Sequence, residues 1–275
     1  MRIADYDIIG VSHEGNHGTY YRARPPERLG ISDPEVVLKV LGRRATDDEF
    51  KRFANEMRLL NQLDSPYLAK LLDAGSVDGD VFMATRRYDA SLNEAAALAD
   101  DDTVRATVAL VADAARGAHA LHEMGVAHRD IRPSNVLIDR PDGRRRGRLG
   151  DLGLAEMGPG VSATIGTGPI GSLGYMAPEV VAEGNAGRGS DVWSLGATLH
   201  AALSDRPLFG EIPDRSVLDA LRHLARTTPR VDDRLDSSVT DVIGQCLADR
   251  TERFPTANDL AIELDRVATT IGATT

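Results

Sequence analysis

Between residues 128 and 153 the chain reads His128-Arg129-Asp130-Ile131-Arg132-Pro133-Ser134-Asn135, then the apolar run Val136-Leu137-Ile138, a short basic hairpin, and Asp151-Leu152-Gly153. Asp130 is a carboxylate that can accept the proton of an attacking hydroxyl. Asn135 and Asp151 offer hard oxygens to Mg2+, which keeps several waters, so that two protein ligands and nucleotide phosphates suffice. The chemistry open to this set is phosphoryl transfer. Backbone geometry accounts for the spacing. Asp130 and Asn135 bracket one tight loop, 136–138 leaves it as a strand, Pro141-Asp142-Gly143 turns the chain, and the return strand is expected to deliver Asp151 beside Asn135.

Two kinds of scaffold surround these residues. Up to about residue 87, short strand-like runs over 8–11, 19–23, 36–41, 71–76 and 81–85 alternate with turns. One amphipathic helix is predicted over about 48–63, with Phe50, Phe53, Met57 and Leu60 on a common face and Thr46 or Asp47 as its N-cap. From about residue 88 the pattern turns helical. An Ala-rich helix over 103–124 carries the stripe Val104, Val108, Val111, Ala115, Ala118 and Leu121. Residues 190–204 are almost wholly apolar, as a buried central helix reads, and further helices are expected over 217–225, 237–248 and 257–267. The Gly/Ser/Thr-rich stretch 158–171 reads as a mobile loop. The expected class is α+β: a small strand-rich lobe, about 1–87, and a larger helical lobe, about 88–275.

With 42% hydrophobic and 27% charged residues over 275 positions, the composition is that of a soluble globular protein with ample core. A formal net charge of −10 argues against general nucleic-acid binding. A single cysteine, Cys246, excludes an intramolecular disulfide, fits a reducing compartment, and sits on an apolar helix face that suggests a buried, inert thiol. No run approaches the roughly 20 apolar residues that span a bilayer, and the first seven residues are too polar for a signal peptide. A cytoplasmic protein with no membrane segment is expected. His119 and His122 lie one turn apart without an evident third ligand and read as surface or core histidines. His13 and His17 are equally poor candidates for a metal. Arg144, Arg145, Arg146 and Arg148 read as a solvated basic tip.

Seven ordered segments carry a family resemblance. They are Glu14-Gly15-Asn16-His17-Gly18-Thr19-Tyr20-Tyr21; Val36-Val37-Leu38-Lys39 with Glu56 seventeen residues on; the 128–135 loop; Asp151-Leu152-Gly153; Gly171 to Glu179, ending Ala177-Pro178-Glu179; Ser190-Asp191-Val192-Trp193-Ser194-Leu195-Gly196; and Arg253 within Arg250 to Ala257. In this order they resemble the protein kinase family over nearly the whole chain, closest to the eukaryotic-like (Hanks-type) bacterial Ser/Thr kinases. The resemblance implies a two-lobed protein-kinase-like fold, with a small N-lobe of antiparallel strands plus one helix and a larger, mostly helical C-lobe.

What it implies for the residues follows the motifs. Gly15 and Gly18 would let backbone N–H groups approach phosphates. Lys39 would grip them, and since a lysine in an apolar strand is costly unless paired, Glu56 would hold it. Val37 belongs to the same nucleotide-contacting strand. Asp130 would be the base, Arg132 would stand near the γ-phosphate, and Asn135 and Asp151 would bind Mg2+ and, with it, ATP. Arg129, Thr164 and Thr167 would be regulatory, through a phosphate on the loop paired with the arginine. Glu179 and Arg253 would form a buried ion pair, and Asp191 would accept backbone hydrogen bonds from the catalytic loop. Partners implied are protein substrates phosphorylated on Ser or Thr, and a homodimer is common in the family though nothing in the sequence compels one. The chain departs from the pattern at His13, where the first glycine falls, at Tyr20, where a valine covers the adenine, and at Arg132, where a lysine is usual. These departures motivate the alternative of a pseudokinase, a binding module with little turnover. The Ala177-Pro178-Glu179 segment with Arg253 argues against a small-molecule phosphotransferase.

Overall fold

The computed structural model describes residues 1–15, 18–42, 45–95, 103–152, 156–157 and 170–271. They group into two compact units. One holds the described residues of 1–64, 68–88 and 151–152, and the other those of 65–67, 89–150 and 156–271.

The first unit is a wholly antiparallel sheet with one helix. Its strands are β1 (Arg2–Ile3), β2 (Tyr6–Gly15), β3 (Gly18–Arg24), β4 (Val36–Leu41), β5 (Leu71–Val77) and β6 (Asp80–Arg86), in the order β1-β2-β3-β4-β6-β5. Side chains alternate across a strand, so Val36, Leu38 and Val40 share one face with Ala23, Phe82 and Ala84. There they form a dry cluster with Tyr6. Lys39 must then point to the opposite face, where the helix α1 (Asp47–Gln62) lies. Thr46 caps α1 in a reciprocal capping box with Glu49, which satisfies two N-terminal donors at once. The buried positions of α1 are Phe53, Glu56, Leu59 and Leu60. Phe50 and Met57, expected on the inward face, are only half-buried. Glu56 faces Lys39, and the helix is turned so that this carboxylate, rather than a fully apolar stripe, sits at the centre of the contact. β2 is also longer than the predicted 8–11, because its ladder with β3 continues to the pair Gly15 and Gly18.

The second unit begins with β7 (Ala90–Ser91) and α2 (Leu92–Ala95), followed by α3 (Thr103–Glu123), β8 (Val126–Ala127), β9 (Val136–Asp139), β10 (Arg146–Leu149) and β11 (Glu156–Met157). Helices α4 (Pro178–Glu183), α5 (Arg188–Leu203), α6 (Val217–Arg226), α7 (Ser237–Cys246) and α8 (Ala257–Ile271) complete it. α5 is buried continuously from Ser190 to His200. α3 is buried on more than one stripe, since it packs against α5, α8 and β10, while Val104, in its first turn, is exposed. No helix among the described residues is long and apolar enough to cross a membrane.

The β9–β10 hairpin is seated on α3 at one point. The carboxylate of Asp113, itself buried, accepts the Gly147 N–H at 3.0 Å. A Cβ at Gly147 would lie 2.3 Å from the Leu110 carbonyl oxygen, so the close approach depends on glycine. Arg144, Arg145 and Arg146 at its tip are exposed. Gly147→Ala is therefore expected to cost about 1–3 kcal/mol of stability through overpacking. Gly244→Ala, in an exposed turn of α7 with nothing within 4 Å of the new methyl, should gain up to about 1 kcal/mol. Urea unfolding midpoints moving in these opposite directions would support the packing account; a harmless Gly147→Ala would refute it.

Candidate active site

In the first unit the chemistry centres on Lys39. Its Nζ donates to Glu56 Oε2 at 2.5 Å and lies 3.7 Å from Asp151 Oδ1. Lys39 and Glu56 are each 4% exposed, so water screens this pair little. Burial alone would push the ammonium pKa down, but the carboxylates of Glu56 and Asp151 outweigh it and hold the group above the ordinary lysine value, fully charged. Tyr20, paired with Lys39 across β3 and β4, presents its ring 5.3 Å from the ammonium. Burial, and then the Asp151 carboxylate, raise the Tyr20 hydroxyl well above the usual phenol range. Val37 is half-buried on the Lys39 side of β4. Gly18 has φ 120, and a Cβ there would stand 2.6 Å from the Val40 carbonyl oxygen. Packing against β4 therefore requires that glycine whatever the loop binds.

In the second unit the 128–135 loop is organised by a buried carboxylate on α5. Asp191, with no solvent exposure, accepts the backbone N–H of His128 at 2.8 Å through Oδ2 and that of Arg129 at 2.9 Å through Oδ1. Oδ2 also meets His122 Nε2 at 2.8 Å. Burial opposes the Asp191 charge, yet the His122 contact and these N–H groups keep its pKa below the ordinary carboxylate value. Arg129 sits at φ 70, a left-handed conformation that costs a non-glycine residue energy, and the Asp191 hydrogen bond fixes its N–H there. His128 is fully buried. Its Nδ1 accepts the Asp130 N–H at 3.3 Å, which leaves Nε2 to donate to the Gly150 carbonyl at 3.0 Å.

Asn135 closes the loop. Its side-chain amide donates to the Asp130 carbonyl at 2.8 Å and to Asp130 Oδ2 at 3.0 Å. With both N–H bonds directed at Asp130, the amide oxygen accepts from the Ser134 hydroxyl at 3.4 Å and is a donor of the hard type that Mg2+ takes. The Asn135 carbonyl accepts the Gly150 N–H at 2.9 Å, and the next residue in the chain, Asp151, is held at φ 57. The Asn135 amide oxygen and the Asp151 carboxylate are each of the oxygen type that magnesium accepts. Arg132 Nε is 3.5 Å from Asp130 Oδ2, and the Asp130 side chain keeps 22% of its exposure.

Farther along, Arg253 makes a two-pronged contact with Glu179 at 2.6 and 2.9 Å. It also donates to the Gly189 and Ala248 carbonyls and lies 5.0 Å over the Trp193 ring. Burial pushes the Glu179 carboxyl up, but the Arg253 hydrogen bond more than offsets this and keeps it ionised. Ser172 is buried. Thr164 and Thr167 lie outside the described residues. His122, expected as a surface or core histidine, is buried and tied to Asp191; the only signal in the sequence was its place in the last turn of α3, six residues before His128.

Three of the relatives found by sequence are bacterial Ser/Thr kinases. The serine/threonine-protein kinase PknJ of Mycobacterium tuberculosis is 32% identical over 94% of this chain and 44% of its own length. PrkC of Bacillus subtilis is 30% identical over 94% and 40%, and the DNA damage-responsive kinase RqkA of Deinococcus radiodurans 29% over 91% and 37%. The chain thus spans less than half the length of these relatives. Residues 11–263 match the family model described as the protein kinase domain. That match begins before the Tyr20–Lys39 strand pair and ends beyond Arg253, so every interaction of the site falls inside it, and the chain belongs to the protein kinase family.

Proposed function

We propose that this chain transfers the γ-phosphoryl group of ATP, with Mg2+, to Ser or Thr hydroxyls of proteins, and that the kinase domain spans 1–275 with lobes of about 1–87 and 88–275. The names of the relatives support the Ser/Thr assignment. The observation that carries the reading is Asp130: a partly exposed carboxylate on a loop whose backbone is pinned by Asp191 and whose side chain is steadied by Asn135. Such a group is placed to orient an incoming hydroxyl and accept its proton. Lys39, held charged by Glu56 and Asp151, binds the α- and β-phosphates, and Gly15 and Gly18 allow backbone N–H groups to approach them. Asn135 and Asp151 would hold magnesium, which supplies charge neutralisation on the phosphates when bound. Arg132, a planar fork where a lysine is usual, stands beside Asp130 and meets the γ-phosphate; the loss of a compact ammonium alters that geometry. The parts work by position and electrostatics.

Control is assigned to the 158–171 stretch, with phosphate on Thr164 or Thr167 read by Arg129. A nucleotide-binding module with little turnover is the second reading, and the ring of Tyr20 beside Lys39 is the observation that favours it.

Asp130→Asn is expected to lower phosphoryl transfer by at least about 100-fold while leaving the unfolding midpoint and Mg·ATP binding near the parent's. A rate unchanged by this substitution would remove Asp130 from the mechanism. Wild-type chain that binds Mg·ATP without transferring label to any protein would favour the second reading. Mass spectrometry of active protein should find phosphate at Thr164 or Thr167; an active sample with both residues unmodified would overturn that assignment.

A further inference from the structure

Tyr20 has no task in the reaction as described, yet it stands beside the residue that most needs to be reached. It is directly opposite Lys39 in the β3–β4 ladder, and residues so paired project from one face with Cβ atoms about 5 Å apart. Lys39 Nζ lies 5.3 Å from the ring centroid, within the ~6 Å over which an aromatic face attracts a cation. The same ammonium meets Glu56 at 2.5 Å and Asp151 at 3.7 Å, and Lys39 is 4% exposed. An ammonium has three N–H donors. Glu56 takes one of them, the Tyr20 hydroxyl bonds the group as well, and the Asp151 carboxylate and the Tyr20 ring crowd it at longer range; with so little exposure left, a phosphate oxygen reaches it by displacing a neighbour. Glu56 is fixed by its burial in α1, and Asp151 carries the opposite charge. Tyr20, which meets the ammonium through its ring face and its hydroxyl, is the one neighbour of the three without a carboxylate, and turning it aside requires only two side-chain torsions.

We propose that Tyr20 sets nucleotide affinity: its ring occupies the approach to the Lys39 ammonium in the nucleotide-free protein, and phosphates gain that ammonium at the expense of the ring contact. The inference rests on Lys39 being the phosphate-gripping lysine. A side chain ending at Cγ at this position leaves the approach open.

The probe is Mg·ADP, titrated calorimetrically into the parent chain, Tyr20→Val, Tyr20→Phe, Lys39→Ala and the Tyr20→Val/Lys39→Ala double variant. Each is first checked for cooperative unfolding, with Tyr20→Thr replacing the valine variant if the latter does not fold. Tyr20→Val should bind about tenfold more tightly and lower the KM for ATP more than it changes kcat. Tyr20→Phe, which keeps the ring face but loses the hydroxyl's hydrogen bond with Lys39, should bind more tightly than the parent and less tightly than Tyr20→Val. Lys39→Ala should weaken binding, and in the double variant the gain from valine should vanish because no ammonium is left to uncover. Equal or weaker binding by Tyr20→Val overturns the proposal while Lys39→Ala still weakens it. Undiminished binding by Lys39→Ala brings down the phosphate role of Lys39 and the Tyr20 proposal together.

Discussion

A carboxylate with no access to solvent is unstable unless the protein supplies what water would have supplied. Asp191 is such a group, and the 128–135 loop together with α3 satisfies it: the N–H groups of His128 and Arg129 and the ring of His122 occupy both its oxygens. The dependence runs both ways. Arg129 holds a left-handed backbone with its N–H fixed by Asp191, and the direction in which the chain then leaves toward Asp130 follows from that conformation. The His128 ring carries the constraint onward, accepting from Asp130 on one nitrogen and donating to Gly150 on the other. One buried charge therefore sets the backbone of the loop, and the loop sets the side chains that can do chemistry.

The strand-rich unit solves the same problem with the opposite sign. The alternation that sends Val36, Leu38 and Val40 into the core sends Lys39 to the other face, where an isolated ammonium would not survive burial. Glu56 compensates it at short range. A pair this buried adds little to stability compared with an apolar pair of equal size, since desolvation costs about as much as attraction returns. What the pair secures is a buried cation that stays charged and fixed in place. The Glu179–Arg253 contact is of the same kind, with carbonyls and the Trp193 face completing the guanidinium's surroundings.

Much of this was legible from residue order. The strand containing Lys39, the capped helix containing Glu56 and the buried helix containing Asp191 each declare themselves by local pattern, and their succession marks the family. What local pattern could not supply is interaction between distant residues. Periodicity placed Phe50 and Met57 inward on α1, but it has no term for the pull of Lys39 on Glu56, so Leu59 is buried in their stead. The His122–Asp191 contact joins residues 69 apart, and nothing near either one announces it. Tyr20 was visible only as a departure from a motif; its contact with Lys39 depends on the β3–β4 register, which no window along one strand contains. Val104 fits its stripe by spacing and is nevertheless exposed, because it stands in the first turn of α3.

The central claim is that this chain moves phosphate from ATP to hydroxyl side chains of proteins. Its most direct test is incubation of the purified chain, with a generic acceptor protein, in Mg2+ and ATP labelled at the γ-position, followed by mapping of the labelled residues. The account predicts label on serine and threonine and none when Mg2+ is chelated. Label confined to tyrosine, or label that persists without the metal, would contradict it.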